Sequence, residues 1–182
     1  GAGGRDHPAW NNALRATAAH STLILADASS AQILPPGLAR DLLGPRLTGG
    51  PQEPMSRRVE TQQGWTIEVM HDAYAAFGVR HERQITLSPQ GLTVTGRDRL
   101  VAEGRKGELP FMVRFHIHPD IRVSRLEGGG FLLKLSNGEG WRFRAGGGAV
   151  AVEESIYVGG RQVRRAEQLA VAGVLKDASA EI

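Results

Sequence analysis

The chain has 182 residues, no cysteine, and a formal net charge of +3 from 22 basic and 19 acidic side chains. This excludes disulfides and Cys-based zinc sites, and no apolar run approaches the ~18 residues of a membrane span. The basic residues are scattered and only 5% of the chain is aromatic, which does not fit a nucleic-acid stacking surface.

All but three of the basic residues are Arg. Arg grips carboxylate, sulfate or phosphate through two hydrogen bonds at once, although a GC-rich genome gives the same bias together with abundant Ala and Gly. A chain of this length buries roughly 70% of its unfolded surface. It is read as a single domain over residues 1–182. The start "GAGGRDHPAW" reads as the interior of a longer protein or a processed terminus.

Short alternating runs dominate. "STLILAD" from Ser21 and "AQIL" from Ala31 are strand candidates. Pro35 to Pro54 reads as a loop with one helical turn around "LARDLLG". In "GWTIEVMHDAY", Trp65, Ile67 and Val69 share one face, and Thr66, Glu68 and Met70 the other. "RHERQITLSPQGLTVTGRDRLV" reads as two strands joined by the turn "SPQG". Further strands are expected in "PFMVRFHIHP", "IRVSRLEGG", "GFLLKLSNGEGWRFRAGG", "AVAVEESIYVGG" and "EQLAVAGVL", with "SNGEG" carrying an Asn-Gly hairpin signal. No long segment has helical periodicity. The expectation is an all-β, antiparallel β-sandwich of roughly ten or more strands.

On "FMVRFHIHP", period two places Phe111, Val113, Phe115 and Ile117 on the core face and Met112, Arg114, His116 and His118 together on the other. Histidines at i and i+2 of a strand can ligate one metal; two solvated histidines give the same spacing. A cupin needs a Glu shortly after its His-x-His, and "PDIR" stands there instead. His20 precedes a strand with Arg15 upstream, and His71 and Asp72 end one. Asp98, flanked by Arg97 and Arg99, reads as an ion-paired structural carboxylate. No G-x-x-x-x-G-K-[ST] or G-x-S-x-G element occurs.

In order, "HPAWNNALRATAAHSTLILAD", "HDAYAAFGVRHERQITL", "TVTGRDRL" and "PFMVRFHIHP" resemble the C-terminal β-domain of heparinase II/III-like polysaccharide lyases, over about residues 5 to 175. The resemblance implies cleavage of acidic, uronate-containing polysaccharide by β-elimination. The carboxylate is neutralised, a base removes the C5 proton, and an acid protonates the leaving glycosidic oxygen. It implies that an N-terminal helical toroid of the same full-length chain supplies most of this machinery, and that the β-domain completes the cleft and is inactive alone. His20 matches the family's cleft histidine, with Arg15 and Arg114 as candidate substrate contacts. A structural zinc is implied, with Asp72, His116 and His118 as candidate ligands. Residence in the periplasm or cell envelope is implied too, although residues 1–182 show no targeting segment. "HDAY" stands for the family's HDGY, and "AAHST" for AHNT, which loses an Asn. The alternative from the residues alone is a non-catalytic acidic-glycan-binding or structural β-sandwich module.

Overall fold

The computed structural model describes residues 11–182 apart from 45, 105–106, 160–161 and 177. The opening "GAGGRDHPAW" lies outside the described residues. The fold is all-β, a sandwich class built from antiparallel sheets. Among the described residues fourteen strands form sheets of four, three, five and two strands. No helix there is long and apolar enough to cross a membrane. The chain divides into two compact units, Gly1–Ile24 with Phe111–Gly173 and Leu25–Pro110 with Val174–Ile182.

The first unit holds most of a sheet ordered β1-β8-β13-β12, formed by Leu23–Leu25, Leu109–His116, Gln162–Leu175 and Ala149–Gly159. It also holds the meander of β9 (Arg122–Arg125), β10 (Phe131–Lys134) and β11 (Gly140–Phe143). The expected alternation on β8 holds: Phe111 and Val113 are buried, and the Phe115 ring meets Phe143 edge-on at 5.2 Å. With Leu23, Phe131, Leu169 and Val171 they form this unit's core, each side chain contributing about 1.5–3 kcal/mol by leaving water. The turn "SNGEG" closes the β10–β11 hairpin, with Leu135 N–H donating to the Glu139 carbonyl at 2.8 Å. β8 stops at His116, short of the expected run. His118 lies in the following turn, where its carbonyl accepts from Ile121 N–H.

The second unit is built on a sheet ordered β14-β7-β6-β5-β4. Its strands are β4 (Met55–Thr61), β5 (Gly64–His71), β6 (Val79–Leu87), β7 (Val94–Ala102) and β14 (Ser179–Glu181). "SPQG" turns between β6 and β7 as expected, with Gly91 N–H on the Ser88 carbonyl. The Pro35–Pro54 stretch holds the helical turn Leu38–Leu43 and also β3 (Leu47–Thr48), which pairs with β2 (Gln32–Ile33). Sequence reasoning missed β4 and β14. "MSRRVET" has no apolar alternation and is almost wholly exposed; it becomes a strand because seven register pairs dock it on β5. Gly64 starts β5 at φ +122°, where a Cβ would lie 1.9 Å from the Leu87 carbonyl oxygen, so only glycine fits.

The apolar face of β5 is the exposed one. Trp65, Ile67 and Val69 are 44%, 51% and 38% exposed, and Ile85, opposite Ile67, is 40% exposed. The Arg58 guanidinium lies over the Trp65 ring at 5.9 Å. The polar face is laced by side-chain bonds: Arg57 to Glu68 at 2.6 Å, Gln84 to Glu68 at 3.1 Å, and Thr66 to Thr86 at 2.9 Å. The core of this unit sits elsewhere, around Leu25, Tyr74, Val79, Leu100 and Leu175.

Candidate functional site

In the first unit, β8 brings Arg114 and His116 to one side, as period two requires. His116 uses both ring nitrogens: Nε2–H donates to the Ala18 carbonyl at 2.9 Å, and Nδ1 accepts from Ser155 Oγ at 3.0 Å. This fixes its tautomer. Burial pushes its pKa below the ordinary histidine value; the Ala18 carbonyl opposes this, and the nearby charges of Arg114 and His20 add to it. The segment bearing His20 is sewn to the same strand, with Arg114 N–H on the Thr22 carbonyl at 3.0 Å and His116 N–H on Ser21 Oγ at 3.0 Å. His20 itself is exposed, its backbone held by Thr17 and Thr22. Arg15 is half-buried in the last position of the short helix Asn11–Arg15.

A groove of about 1020 Å³ opens here, lined among others by Arg114, His116, Arg122, Arg165, Gln168 and Ala19. Arg165 reaches Glu154 at 3.3 Å, but both side chains are about nine-tenths exposed. Such a pair is weak and leaves the guanidinium available to an anion. Arg122, Arg165, Ser155 and Gln168 were not anticipated. They sit on strands whose polar residues look like solvent faces until the register is known, and only the count of Arg hinted at them.

In the second unit, His71, His81 and Asp98 form a row. They occupy facing positions of neighbouring strands, His71 opposite His81 and Arg83 opposite Asp98. Asp98 accepts from His81 Nε2 at 2.6 Å and takes two bonds from Arg83, at 2.7 and 2.9 Å. The carboxylate can only accept, so His81 Nε2 carries hydrogen and Nδ1 accepts from His71 Nε2 at 3.0 Å. His71 Nδ1 then accepts from Ala73 N–H at 3.3 Å. Burial, reinforced by His81, pushes the His71 pKa down to about 4. Burial alone would raise the Asp98 carboxyl, but the hydrogen bonds from His81 and Arg83 outweigh it and hold it below its ordinary value. Tyr74 packs against His71 in the row, with ring centroids 5.7 Å apart; burial pushes its hydroxyl up to about 12, and a hydrogen bond with the Leu25 backbone opposes this. No ring nitrogen in the row is open, so it orders the β5–β6 and β6–β7 pairings rather than receiving a ligand. Asp98 is therefore an ion-paired structural carboxylate, as expected, but it is buried and its ion partner is Arg83, not the flanking Arg97 or Arg99. Those two point to the opposite face, toward Glu181 and Glu82.

Asp72, His116 and His118, the candidate zinc ligands, engage other groups. Asp72 belongs to the second unit, where its carboxylate accepts from Gln52 N–H at 2.9 Å. His118 is exposed, stacks edge-on against Tyr157 at 4.8 Å, and lies 3.5 Å from Asp120. His116 has no free nitrogen. Among the described residues no group of three or more His, Cys, Asp or Glu is placed to hold a metal ion. The arrangement does not fit a zinc site on these side chains.

The family model described as "Heparinase II/III-like, C-terminal" matches residues 1–182, the whole chain. The chain belongs to the heparinase II/III-like family. A curated relative, FtsZ-localized protein C of Caulobacter vibrioides, is 30% identical over 167 residues, covering 87% of this chain and 29% of that protein. A solved heparinase III superposes with a TM-score of 0.63 at 12% identity, over 92% of this chain and 23% of that one. The chain thus spans under a third of either protein it matches, and the likeness to heparinase III is one of fold. Within the heparinase II/III-like family, the segments that carried the sequence resemblance lie in both units: "AAHST" and "FHIHP" meet at the groove, while "HDAY", "RHER" and "GRDRL" build the histidine row.

Proposed function

We propose that this chain is the C-terminal β-sandwich of a polysaccharide lyase acting by β-elimination on acidic, uronate-containing polysaccharide, in the periplasm or cell envelope. It forms one wall of the substrate cleft, and an N-terminal helical toroid of the same full-length chain supplies the rest. The observation that carries the reading is the groove lined by Arg114, Arg122, Arg165 and His116, and by Ala18 and Ala19, which precede the exposed His20. Guanidinium groups there bind the uronate carboxylate and withdraw charge from it, which acidifies the C5 proton. In this reading His20, exposed and held by its backbone, exchanges a proton with the sugar, and His116, with both nitrogens engaged, is a positioning residue for the His20 segment.

The test is formation of unsaturated uronate, followed by ultraviolet absorbance, with the full-length protein on a panel of polyuronates. His20→Ala should lower kcat by about 10²–10⁴, and Arg114→Ala should chiefly raise KM. No unsaturated product from any polyuronate would overturn the lyase reading.

A second reading has its own support. The curated relative is named for its localisation with FtsZ, not for an activity. A non-catalytic module, recognising acidic glycan or serving an assembly at FtsZ, accounts for that. Sedimentation of the full-length protein with FtsZ polymers, without turnover of any glycan, would favour it.

A further inference from the structure

The five-stranded sheet of the second unit has an open edge. β4 pairs with β5 through seven register pairs, and among the described residues no strand lies on its other side. It holds no proline and no bulge, and every side chain but Val59 is exposed. The outward N–H and C=O groups of such a strand are a template for another strand, and charged side chains normally guard against this. In β4 the guard fails in one register. Directly opposite residues of an antiparallel pair lie on the same face of the sheet, so two copies of β4 related by a two-fold axis pair only in registers centred on one residue. Centred on Arg57 or Arg58, guanidinium meets guanidinium; centred on Glu60, carboxylate meets carboxylate. Centred on Val59, Arg58 of each copy meets Glu60 of the other, and Arg57 meets Thr61. Arg57 is already committed to Glu68. Arg58 is held over the Trp65 ring, Glu60 stands opposite Trp65 on β5, and among the described residues neither forms an ion pair. The other long edge, β12, carries Glu153 and Glu154 and no base, so pairing it with itself sets no opposite charges together.

We propose that β4 is a self-association edge whose partner is a second copy of this protein. Two copies pair β4 to β4, antiparallel about Val59, and join two five-stranded sheets into one; the reciprocal Arg58–Glu60 crossings set the register. The contact uses the same patch on both copies and therefore closes at the dimer. A seven-residue edge buries less than the roughly 1,200–2,000 Å² of a standard interface, so the dimer is reversible and depends on concentration. Opposite charges facing each other stabilise a cross-strand pair and like charges destabilise it, and the two-fold axis applies each effect twice. The inference is independent of the glycan reading, because β4 belongs to the second unit and the groove to the first.

The experiment is sedimentation equilibrium of the full-length protein at concentrations up to the sub-millimolar range. Wild type should show a reversible monomer–dimer equilibrium. Arg58→Glu and Glu60→Arg each set like charges at both crossings and should raise the dissociation constant about tenfold or more. An equimolar mixture of these two variants sets opposite charges at both crossings again and should associate like wild type, as should the double variant Arg58→Glu/Glu60→Arg. This rescue separates the charge register from damage to the fold. A wild type that is monomeric throughout overturns the proposal. So does a dimer that neither single reversal weakens, since its contact then lies elsewhere, and so does weakening that neither the mixture nor the double variant restores. Should a reversal not fold, Arg58→Gln and Glu60→Gln take its place: each should weaken association several-fold, and no effect from either overturns the assignment.

Discussion

Asp98 and Arg83 face each other across the β6–β7 register and share two hydrogen bonds, with the Asp98 side chain only 6% exposed. The pair is the fixed end of the histidine row, since the carboxylate dictates which nitrogen of His81 holds hydrogen and, through His81, which nitrogen of His71 does.

Asp98→Asn keeps the shape but removes the charge that answers Arg83. Breaking a buried pair by removing one partner costs about 3–5 kcal/mol, and urea unfolding should show a loss of that order. Glycan binding by the full-length protein should change little, because the row has no open nitrogen.

Acid should destabilise the chain through His71. Its folded value is about 4 against an ordinary 6.5, so between these the unfolded chain binds a proton that the folded chain lacks. Stability is present in full above about pH 6.5 and is lost as pH falls toward about 4. The depressed Asp98 carboxyl contributes stability above its ordinary value and loses it at still lower pH. Urea midpoints across this range check the sign, and His71→Gln should flatten the upper part of the fall.

Ser155→Ala removes the donor to His116 Nδ1 and leaves a half-buried acceptor. A loss of about 1 kcal/mol is expected, measurable by denaturant unfolding. Imidazole nitrogen shifts by NMR should show the Nε2–H tautomer in wild type, because the Ala18 carbonyl demands it.

Zinc content should be the same in wild type and in His118→Ala, measured by plasma mass spectrometry on the purified protein. Near-stoichiometric zinc lost on that substitution would show that His118 leaves Asp120 and Tyr157 to take up a metal.

The face shared by Arg114 and His116 was legible because period two operates within one strand. The β6–β7 and β10–β11 turns were legible because "SPQG" and "SNGEG" state their chemistry locally. The histidine row was not. It needs His71 opposite His81, a register set by the length of the turn between them, which ends in a short helical turn at Ala75–Phe77 and a left-handed Gly78. Asp98 was read with its sequence neighbours, whereas alternation sends Arg97 and Arg99 to the other side of the sheet. Gln168 looked like any polar strand residue, and only the packing around its amide leaves its Oε1 without a partner among the described residues.

The inverted β5 strand bears on how this domain tolerates change. On most half-buried strands, replacing an alternating Ile or Val by a polar residue is the damaging move. Here Ile67 and Val69 stand half in water while Glu68 and Thr66 hold the cross-strand bonds, so the usual penalty for a polar residue at the alternating positions is reduced along β5. Drift at the aliphatic positions is cheap for the free chain, and losing the surface pair of Glu68 with Arg57 costs only about 0–1 kcal/mol. If those apolar positions nonetheless resist drift among relatives, the constraint on them comes from outside the sheet's own stability.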